Sequence, residues 1–294
     1  MQAQERKPAT AVLFDSSIED EIGQVLALTL LLSYDAKREI RVSSLSVSRN
    51  NLKIAAFCDL MSRFFLAPSP IGMAANGPST TSVAPMIQAV LAKRTEDDKP
   101  TYARTISQLN DTADPIALIR NALTAQPDQN SVVVLSGPTV NLLGLLALPE
   151  SKQLIQKKVR TLVIATPAQD AEGMKKLFAE WPGSMIVAGE DLGQSLRFPG
   201  ECIEKDFGWA TNHPLVDAYR AARAMPYDAS AAAMAAVLYA VHPEENFFRL
   251  SDAGAQGKQR QLAANPDHLG RVIQTYREVI SAKPEPRRGG RGQG

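Results

Sequence analysis

The chain has little of several things that mark specialised classes of protein. Only two cysteines, Cys58 and Cys202, occur among its 294 residues. They are too few for a disulfide scaffold, although one bridge between them is compatible with the sequence. The net charge is +1, so nothing favours nucleic acid or an acidic membrane surface as the main partner. No apolar run approaches the roughly 18 to 20 residues that span a bilayer. With 45% hydrophobic residues, the composition is that of an ordinary globular protein.

The two ends of the chain differ in composition from the rest. Residues 1–10 are polar and lack the apolar core of a signal peptide, and they could equally begin a mature exported chain. Residues 283–294 are rich in proline, glycine and arginine, which predicts a disordered, solubilising tail rather than an RNA-binding one. We therefore expect a flexible N-terminus, one domain over residues 11–282 and a disordered tail. The protein should be soluble, either cytoplasmic or exported with its signal peptide removed.

Apolar runs suited to buried strands alternate with segments of helical periodicity. This alternation predicts one α/β domain with a doubly wound, mostly parallel sheet flanked by helices. Strands rich in β-branched residues and apolar throughout are typical of parallel sheets covered on both faces. The predicted central strands are Val12–Phe14, Val42–Val47, Val132–Leu135, Leu162–Ala165 and Met185–Ala188.

The stretch from Ala11 to Leu32 joins a predicted strand to a predicted helix through an acidic turn. Asp15 ends the strand, and apolar residues recur at helical spacing from Ile22 onward. Glu19, Asp20 and Glu21 precede the helix or lie in its first turn, where the helix dipole favours negative charge. Ligands of open α/β folds bind beyond the carboxyl ends of the strands, so this turn is a candidate active-site loop.

These residues resemble the inosine-uridine preferring nucleoside hydrolases. That family carries a loop of the form D-x-D-x-G-x-D-x-D-D-A-L-A-L, and residues 15–28 read D-S-S-I-E-D-E-I-G-Q-V-L-A-L. Asp15 matches the first aspartate, Ser17 replaces the second, and Gly23 and Gln24 replace the paired aspartates. In the family these carboxylates hold calcium, and one of them activates the attacking water.

Later segments extend the resemblance over nearly the whole fold. The family's T-G-P-L-T-N-L is matched by S-G-P-T-V-N-L at residues 136–142, so Ser136 would offer a backbone carbonyl to calcium and Asn141 would line the site. Asn50 matches an asparagine that contacts ribose, while Asn50 and Asn51 are also good helix caps. A last calcium-binding aspartate falls on Ala233. Asp228, five residues earlier, is expected to cap the alanine-rich helix instead.

Two further departures affect the pocket that the resemblance implies. Arg49 stands where the family has a glycine, at a point where substrate must come close. The E-x-N segment that binds the ribose hydroxyls has no counterpart after the strand Leu162–Ala165. None of the three histidines, His213, His242 and His268, stands where the family places its leaving-group acid.

The resemblance therefore implies the family fold with a degraded calcium site. The vestigial metal positions are Asp15, Ser17, Gln24, Ser136 and Ala233, and the candidate ligand-binding residues are Asp15, Ser17, Asn50, Ser136 and Asn141. Because calcium takes about six to eight oxygens, we expect neither cofactor nor metal, and little hydrolysis. The family also implies a nucleoside-like small molecule as partner, no nucleic acid, no membrane and a homo-oligomer.

Two other functional interpretations are also compatible with the sequence. If the acidic loop is rearranged, Asp15, Glu19, Asp20 and Glu21 could together bind calcium and support an active nucleoside N-ribohydrolase, with Asp15 and Glu21 as catalytic residues. Alternatively, the protein could be a binding or scaffolding protein that uses the old cleft or an oligomer surface.

Overall fold

The computed structural model describes residues 8–18, 21–78, 83–165, 170–252 and 258–285. Within these residues the chain forms a central eight-stranded sheet in the order β3-β2-β1-β4-β5-β6-β10-β9. Neighbouring strands are parallel except for β9, which runs antiparallel to β10 at one edge. The predicted doubly wound, mostly parallel α/β fold is thus confirmed.

The sheet strands contain all five predicted central strands. Their bounds are β1 Thr10–Ser16, β2 Ile40–Val47, β3 Ile71–Met73, β4 Ser131–Ser136, β5 Val159–Ala165, β6 Met185–Ala188, β9 Phe248–Asp252 and β10 Gln259–Ala264. A separate two-stranded ribbon pairs β7 Arg197–Phe198 with β8 Ala229–Ser230.

Helices cover both faces of the sheet, as expected for strands that are buried on both sides. They are α1 Ile22–Ala36, α2 Leu52–Phe64, α3 Pro85–Ala92, α4 Pro115–Thr124, α5 Val140–Leu146, α6 Ser151–Lys158, α7 Ala171–Glu180, α8 Glu190–Ser195, α9 Glu201–Lys205, α10 Pro214–Ala222, α11 Ala232–Val241 and α12 Leu269–Ile280. Short 3₁₀ turns occur at Leu109–Asp111 and Pro266–His268. One core lies among α1, α2, α3, α10, α11 and α12, and a second lies under α4 to α7 on the other face.

Helix α1 is buried on every side. All its residues from Ile22 to Asp35 are buried, and it packs against α10, α11, α12 and α2. Thr29 and Ser33 lie within this apolar helix, and their hydroxyls donate to the carbonyls of Val25 and Thr29 at 2.9 Å each. These local bonds satisfy polar groups that would otherwise be costly to bury. The position of α1 therefore fixes the loop that precedes it.

Two details differ from the sequence predictions, and a third settles a question that the sequence left open. Helix α11 begins at Ala232 and its N-cap is Ala231, so the prediction that Asp228 caps this helix is wrong; Asp228 Oδ1 instead accepts a hydrogen bond from Gly200 N at 2.9 Å. The hairpin of β9 and β10 has no counterpart among the strands predicted from the sequence. Cys58 and Cys202 are both buried free thiols.

No helix among the described residues is long and apolar enough to cross a membrane.

Candidate functional site at the carboxyl edge of the sheet

The carboxyl ends of β1, β2 and β4 meet at one edge of the sheet. Ser48 N donates to Ser16 O at 3.1 Å, and Ser17 N donates to Ser136 O at 3.4 Å. A Cβ added at Gly137 would lie 2.6 Å from Ser17 N and 2.9 Å from Ser48 Oγ, so glycine is needed here. The four serines are at most 1% exposed. The edge at which open α/β folds bind ligands is therefore lined here by a buried layer of serines.

The chain turns sharply directly after Ser17. Ile18 has a φ of +44°, which is the left-handed region, and its side chain is 1% exposed. Its N–H donates to Ser16 Oγ at 3.3 Å. A β-branched residue in this region stores strain of about 1–3 kcal/mol, which the surrounding packing must offset. The turn is thus held in a conformation that the local sequence alone disfavours.

The acidic residues of this turn are only partly described. Glu19 and Asp20 lie outside the described residues. Glu21 is exposed at the N-cap of α1, and its side chain makes no capping hydrogen bond. Asp15, in contrast, is 2% exposed. Among the described residues, no three carboxylate, imidazole or thiol side chains come together in a way that could hold a metal ion.

Gln24, in the first turn of α1, is 4% exposed and points at the end of β4. Its side-chain Nε2 donates to the backbone carbonyl of Ser136 at 2.6 Å. The same nitrogen lies 3.3 Å from Ser17 Oγ and 3.4 Å from Ser136 Oγ. The residue that replaces a family aspartate therefore brings a hydrogen-bond donor to oxygens that the resemblance assigns to a cation.

Asp15 is held by Asn141 at the bottom of the same edge. Asn141 Nδ2 donates to Asp15 Oδ1 at 2.9 Å, while Asp15 Oδ2 is buried and has no hydrogen-bond partner among the described residues. Burial raises the pKa of Asp15 to about 8, and the bond from Asn141 offsets only part of that rise. At neutral pH the carboxyl group therefore holds a proton for most of the time, which makes it a poor base and a poor cation ligand.

The two remaining positions of the family's carboxylates are closed by packing. A Cβ added at Gly23 would lie 2.7 Å from the backbone carbonyl oxygen of Ser230, which belongs to β8. Ala233 is 5% exposed and belongs to the larger core. An aspartate at Gly23 would thus need β8 to move away from α1. The position that the resemblance assigns to the family's general base therefore lacks a carboxylate and also lacks the room for one.

The loop after β2 uses its two asparagines for structure. Asn51 is the N-cap of α2, and its Oδ1 accepts from Lys53 N at 3.1 Å. Asn50 is exposed, and its Nδ2 donates to the carbonyl of Ala75 at 2.6 Å. Of the two expected caps, Asn51 is the one observed. The side chain of Asn50 joins two loops of the carboxyl edge, and its role toward a ligand stays a prediction.

Asp170, which the sequence analysis did not single out, links the end of β4 to α7. Thr139 N and Thr139 Oγ1 donate to its Oδ2 at 2.9 and 2.6 Å, and Gly173 N donates to its Oδ1 at 3.1 Å. Partial burial raises its pKa, but these hydrogen bonds and the positive charge of Arg49 outweigh it, and the net shift is downward. Asp170 is therefore a charged carboxylate that caps α7 and lies within electrostatic range of Arg49.

A cavity of about 390 Å³ opens beside this group. Its described lining combines polar groups with an apolar wall, namely Arg49, Pro78, Pro138, Thr139, Val140, Leu143, Asp170 and Gly173. The residues come from the loops after β2, β3, β4 and β5, at the carboxyl edge of the sheet. Its volume lies within the range of about 300–1,000 Å³ that is common for small-molecule sites.

The described residues do not fit calcium. The ion takes about six to eight oxygen ligands, several of them carboxylates. At the vestigial positions this chain offers the Asp15 carboxyl group, serine oxygens and the Ser136 carbonyl, and that carbonyl already accepts from Gln24, from Ser16 Oγ at 3.0 Å and from Ser17 N. We therefore derive no chemical step through a metal ion.

The histidines lie away from the contacts of this edge. His213 is 2% exposed, its Nδ1 accepts from Leu215 N at 3.2 Å to cap α10, and burial lowers its pKa to about 3. His242 Nε2 lies 3.2 Å from a carboxylate oxygen of Glu39. His268 contacts the carbonyl of Asn246.

Sequence comparisons and structural comparisons give different results for this chain. No protein-family model and no curated protein sequence matches it. A plant nucleoside hydrolase shares 15% identity with it at a TM-score of 0.67, over 94% of this chain and 100% of the other. The purine-preferring ribonucleoside hydrolase of Gardnerella vaginalis shares 13% identity at a TM-score of 0.64, over 92% and 98% of the two chains.

A third similar structure comes from outside the named hydrolases. The type III effector protein XopQ, solved in complex with adenosine diphosphate ribose, shares 11% identity at a TM-score of 0.67, over 95% of this chain and 94% of the other. At such low identities the likeness concerns the fold. The chain accordingly has a nucleoside hydrolase-like α/β fold, as the sequence resemblance predicted.

Proposed function

We propose that this protein binds a nucleoside-like small molecule and does not hydrolyse its N-glycosidic bond. The observation that carries the proposal is the contact of Gln24 Nε2 with the Ser136 carbonyl at 2.6 Å. A hydrogen-bond donor at this place can neither coordinate a metal ion nor accept a proton from water. The fold would then serve as a binding scaffold.

Loss of hydrolysis follows from the chemistry that the reaction needs. General base catalysis contributes about 10²- to 10⁴-fold, and the residue at the base position is Gly23. A metal-bound water, which would be more acidic than bulk water, has no suitable set of ligands among the described residues. Asp15 is buried with a raised pKa and is held by Asn141. Asp170 is a charged carboxylate at this edge, but its two oxygens already accept hydrogen bonds from Thr139 and Gly173.

The cavity at Arg49 is the proposed binding site. It lies at the carboxyl edge of the sheet, where ligands of open α/β folds bind. Arg49 is the one cation in its described lining, Thr139 offers a hydroxyl group, and proline, valine and leucine side chains offer an apolar wall. Such a lining suits a ligand with a flat apolar part and an acceptor group for the Arg49 guanidinium, whose charge the neighbouring Asp170 carboxylate partly offsets.

The names of the similar structures suggest which ligands to try. Two are nucleoside hydrolases, and the effector protein was solved with adenosine diphosphate ribose. We therefore propose testing neutral nucleosides against adenosine diphosphate ribose, which adds the negative charge that Arg49 would meet.

The first experiment measures turnover. Purified protein is incubated with inosine, uridine, adenosine and guanosine, with and without calcium, and free ribose is measured. We expect no ribose above a no-enzyme control in either condition. Rapid release would contradict the proposal. If Glu21→Gln abolished that release, the acidic loop of Asp15, Glu19, Asp20 and Glu21 would be the active site.

The second experiment measures binding by calorimetry. Arg49→Ala should weaken binding of adenosine diphosphate ribose at least about tenfold, because a hydrogen bond to a charged group is worth about 1.5–3 kcal/mol. Arg120→Ala, which removes an exposed arginine of α4, is the matched control and should leave the affinity unchanged. Absence of any binding to the unmodified protein, or equal loss in both variants, would rule out the Arg49 cavity as the site.

A further inference from the structure

The side-chain amide of Gln24 makes an unusual set of contacts for a residue at a helix start. A primary amide nitrogen has two N–H groups. One is directed at the Ser136 carbonyl at 2.6 Å, and the other has Ser17 Oγ at 3.3 Å and Ser136 Oγ at 3.4 Å within reach. These acceptors belong to the ends of β1 and β4, whereas Gln24 belongs to α1. One buried group thus connects two strands and a helix.

The Ser136 carbonyl has no capacity left for a further partner. A carbonyl oxygen has two lone pairs. Besides Gln24 Nε2, this oxygen accepts from Ser16 Oγ at 3.0 Å and from Ser17 N at 3.4 Å. A cation could bind it only by displacing one of these donors. Because the carbonyl can only accept, the group of Gln24 that faces it must be the amide nitrogen.

The charge of the surroundings agrees with a neutral group at this point. Of the positions that would surround a divalent ion, Ser17, Gly23 and Ala233 carry no charge, and the Asp15 carboxyl group is hydrogen-bonded to Asn141. A divalent ion here would lose its hydration without gaining enough carboxylates in return, which is costly in a buried place. A neutral amide with three oxygen acceptors has no such cost.

We infer that the Gln24 side-chain amide takes the oxygens that the family resemblance assigns to calcium, and that it joins β1, β4 and α1 without any metal. Gln24 is a positioning residue in this inference, because it acts through the strand ends that it holds. The inference shares the Gln24 contact with the proposed loss of hydrolysis, but it does not depend on the proposed ligand binding at Arg49, which can fail by itself.

The test uses thermal melting of the full chain with calcium or with a chelator. The unmodified protein should melt at the same temperature in both conditions, and elemental analysis should find no stoichiometric calcium. A higher melting temperature in calcium would overturn the inference directly. This measurement needs no variant and does not depend on enzymatic activity.

Two variants whose side chains have about the same length as glutamine test whether the group at position 24 must be a hydrogen-bond donor. Gln24→Met removes the donor and should lower the melting temperature without any response to calcium. Gln24→Glu places a carboxylate against the Ser136 carbonyl, and a cation would relieve the repulsion. Gln24→Glu should therefore melt at a lower temperature than Gln24→Met when a chelator is present, because its buried carboxylate faces a carbonyl oxygen.

The remaining outcomes are also decisive. A Gln24→Met variant as stable as the unmodified protein would show that the amide does not stabilise the contact between β1, β4 and α1. A folded Gln24→Glu variant as stable as Gln24→Met would show that no acceptor faces position 24, and that the amide does not hold the Ser136 carbonyl. If Gln24→Glu fails to fold, the unmodified protein and Gln24→Met decide the question by themselves.

Discussion

At the scale of single residues, Asp15 links the site to the stability of the whole protein. Its pKa is raised to about 8 in the folded state, against an ordinary value of 3.8. Between these pH values the folded protein binds one more proton than the unfolded chain does, so stability should fall as pH rises through this window. The slope can approach about 1.4 kcal/mol per pH unit. At neutral pH the buried carboxyl group therefore destabilises the fold.

Replacing Asp15 by asparagine should remove this dependence. Asp15→Asn retains an oxygen that can accept from Asn141 Nδ2, and it has nothing to titrate. Urea unfolding at pH 5, 6, 7 and 8 should show the variant gaining stability over the unmodified protein as pH rises, with the two converging near pH 4. Parallel profiles would mean that Asp15 titrates normally.

Gly23 offers a second residue-scale test, with a matched control in the same chain. Alanine normally stabilises a helix by up to about 1 kcal/mol relative to glycine. At Gly23 the new Cβ would lie 2.7 Å from Ser230 O, whereas at Gly270, in α12, no atom lies within 4 Å. Gly23→Ala should therefore destabilise by about 1–3 kcal/mol, and Gly270→Ala should stabilise.

Chemical denaturation of both variants checks this prediction. If Gly23→Ala were as stable as Gly270→Ala, β8 would not be packed tightly against α1, and an aspartate at Gly23 would be sterically possible. The missing carboxylate would then be a chemical change only.

At the scale of elements, Asp170 connects α7 to the loop that precedes α5. Asp170→Ala would remove the cap of α7 and leave Thr139 N without its acceptor. The expected loss is about 1–3 kcal/mol, because a lost cap costs about 0.5–2 kcal/mol and an unsatisfied buried donor adds to this. Asp170→Asn retains one acceptor oxygen and should lose less.

Hydrogen exchange can localise the effect of Asp170→Ala. Faster exchange should be confined to the first turn of α7 and to the start of α5. Faster exchange spread evenly over the sheet would show that the carboxylate contributes to global rather than local stability.

The elements that sequence predicts well are those whose pattern is local. Strands β1, β4 and β5 are short, apolar and rich in β-branched residues, and nothing but burial in a parallel sheet suits them. The hairpin of β9 and β10 was missed because Phe248–Asp252 and Gln259–Ala264 are short, rich in polar residues and partly exposed. Neither the periodicity of a strand nor that of a helix stands out in such segments. The prediction for Asp228 was wrong because Gly200, 28 residues away, is its actual partner.

The sequence points to the carboxyl edge of the sheet, but it does not reveal which side chains contact one another there. Asp15 and Asn141 were both selected, and the structure joins them by a hydrogen bond. The role of Gln24 was invisible, because its acceptor Ser136 lies 112 residues further along the chain. Asp170 was missed because an aspartate before a helix is commonplace. In each case the sequence does not show which residue, distant along the chain, the side chain contacts.

At the scale of the whole molecule, the fold is similar to known structures although the sequence identity is low. The fold matches a plant nucleoside hydrolase over 94% of this chain at 15% identity. Four family carboxylate positions hold Ser17, Gly23, Gln24 and Ala233, and each is now packed or hydrogen-bonded. A sheet covered on both faces depends on apolar strands rather than on a metal, so the architecture tolerates the loss of the site.

The placement of α1 also constrains how the protein is made. Strand β1 lies between β2 and β4, and α1 contacts α11 and α12, which come much later in the chain. While the ribosome is still adding the second half of the chain, the apolar surface of α1 has no permanent cover. Partly made chains should therefore expose an apolar helix until α11 and α12 have been added, and such a surface is a target for chaperones.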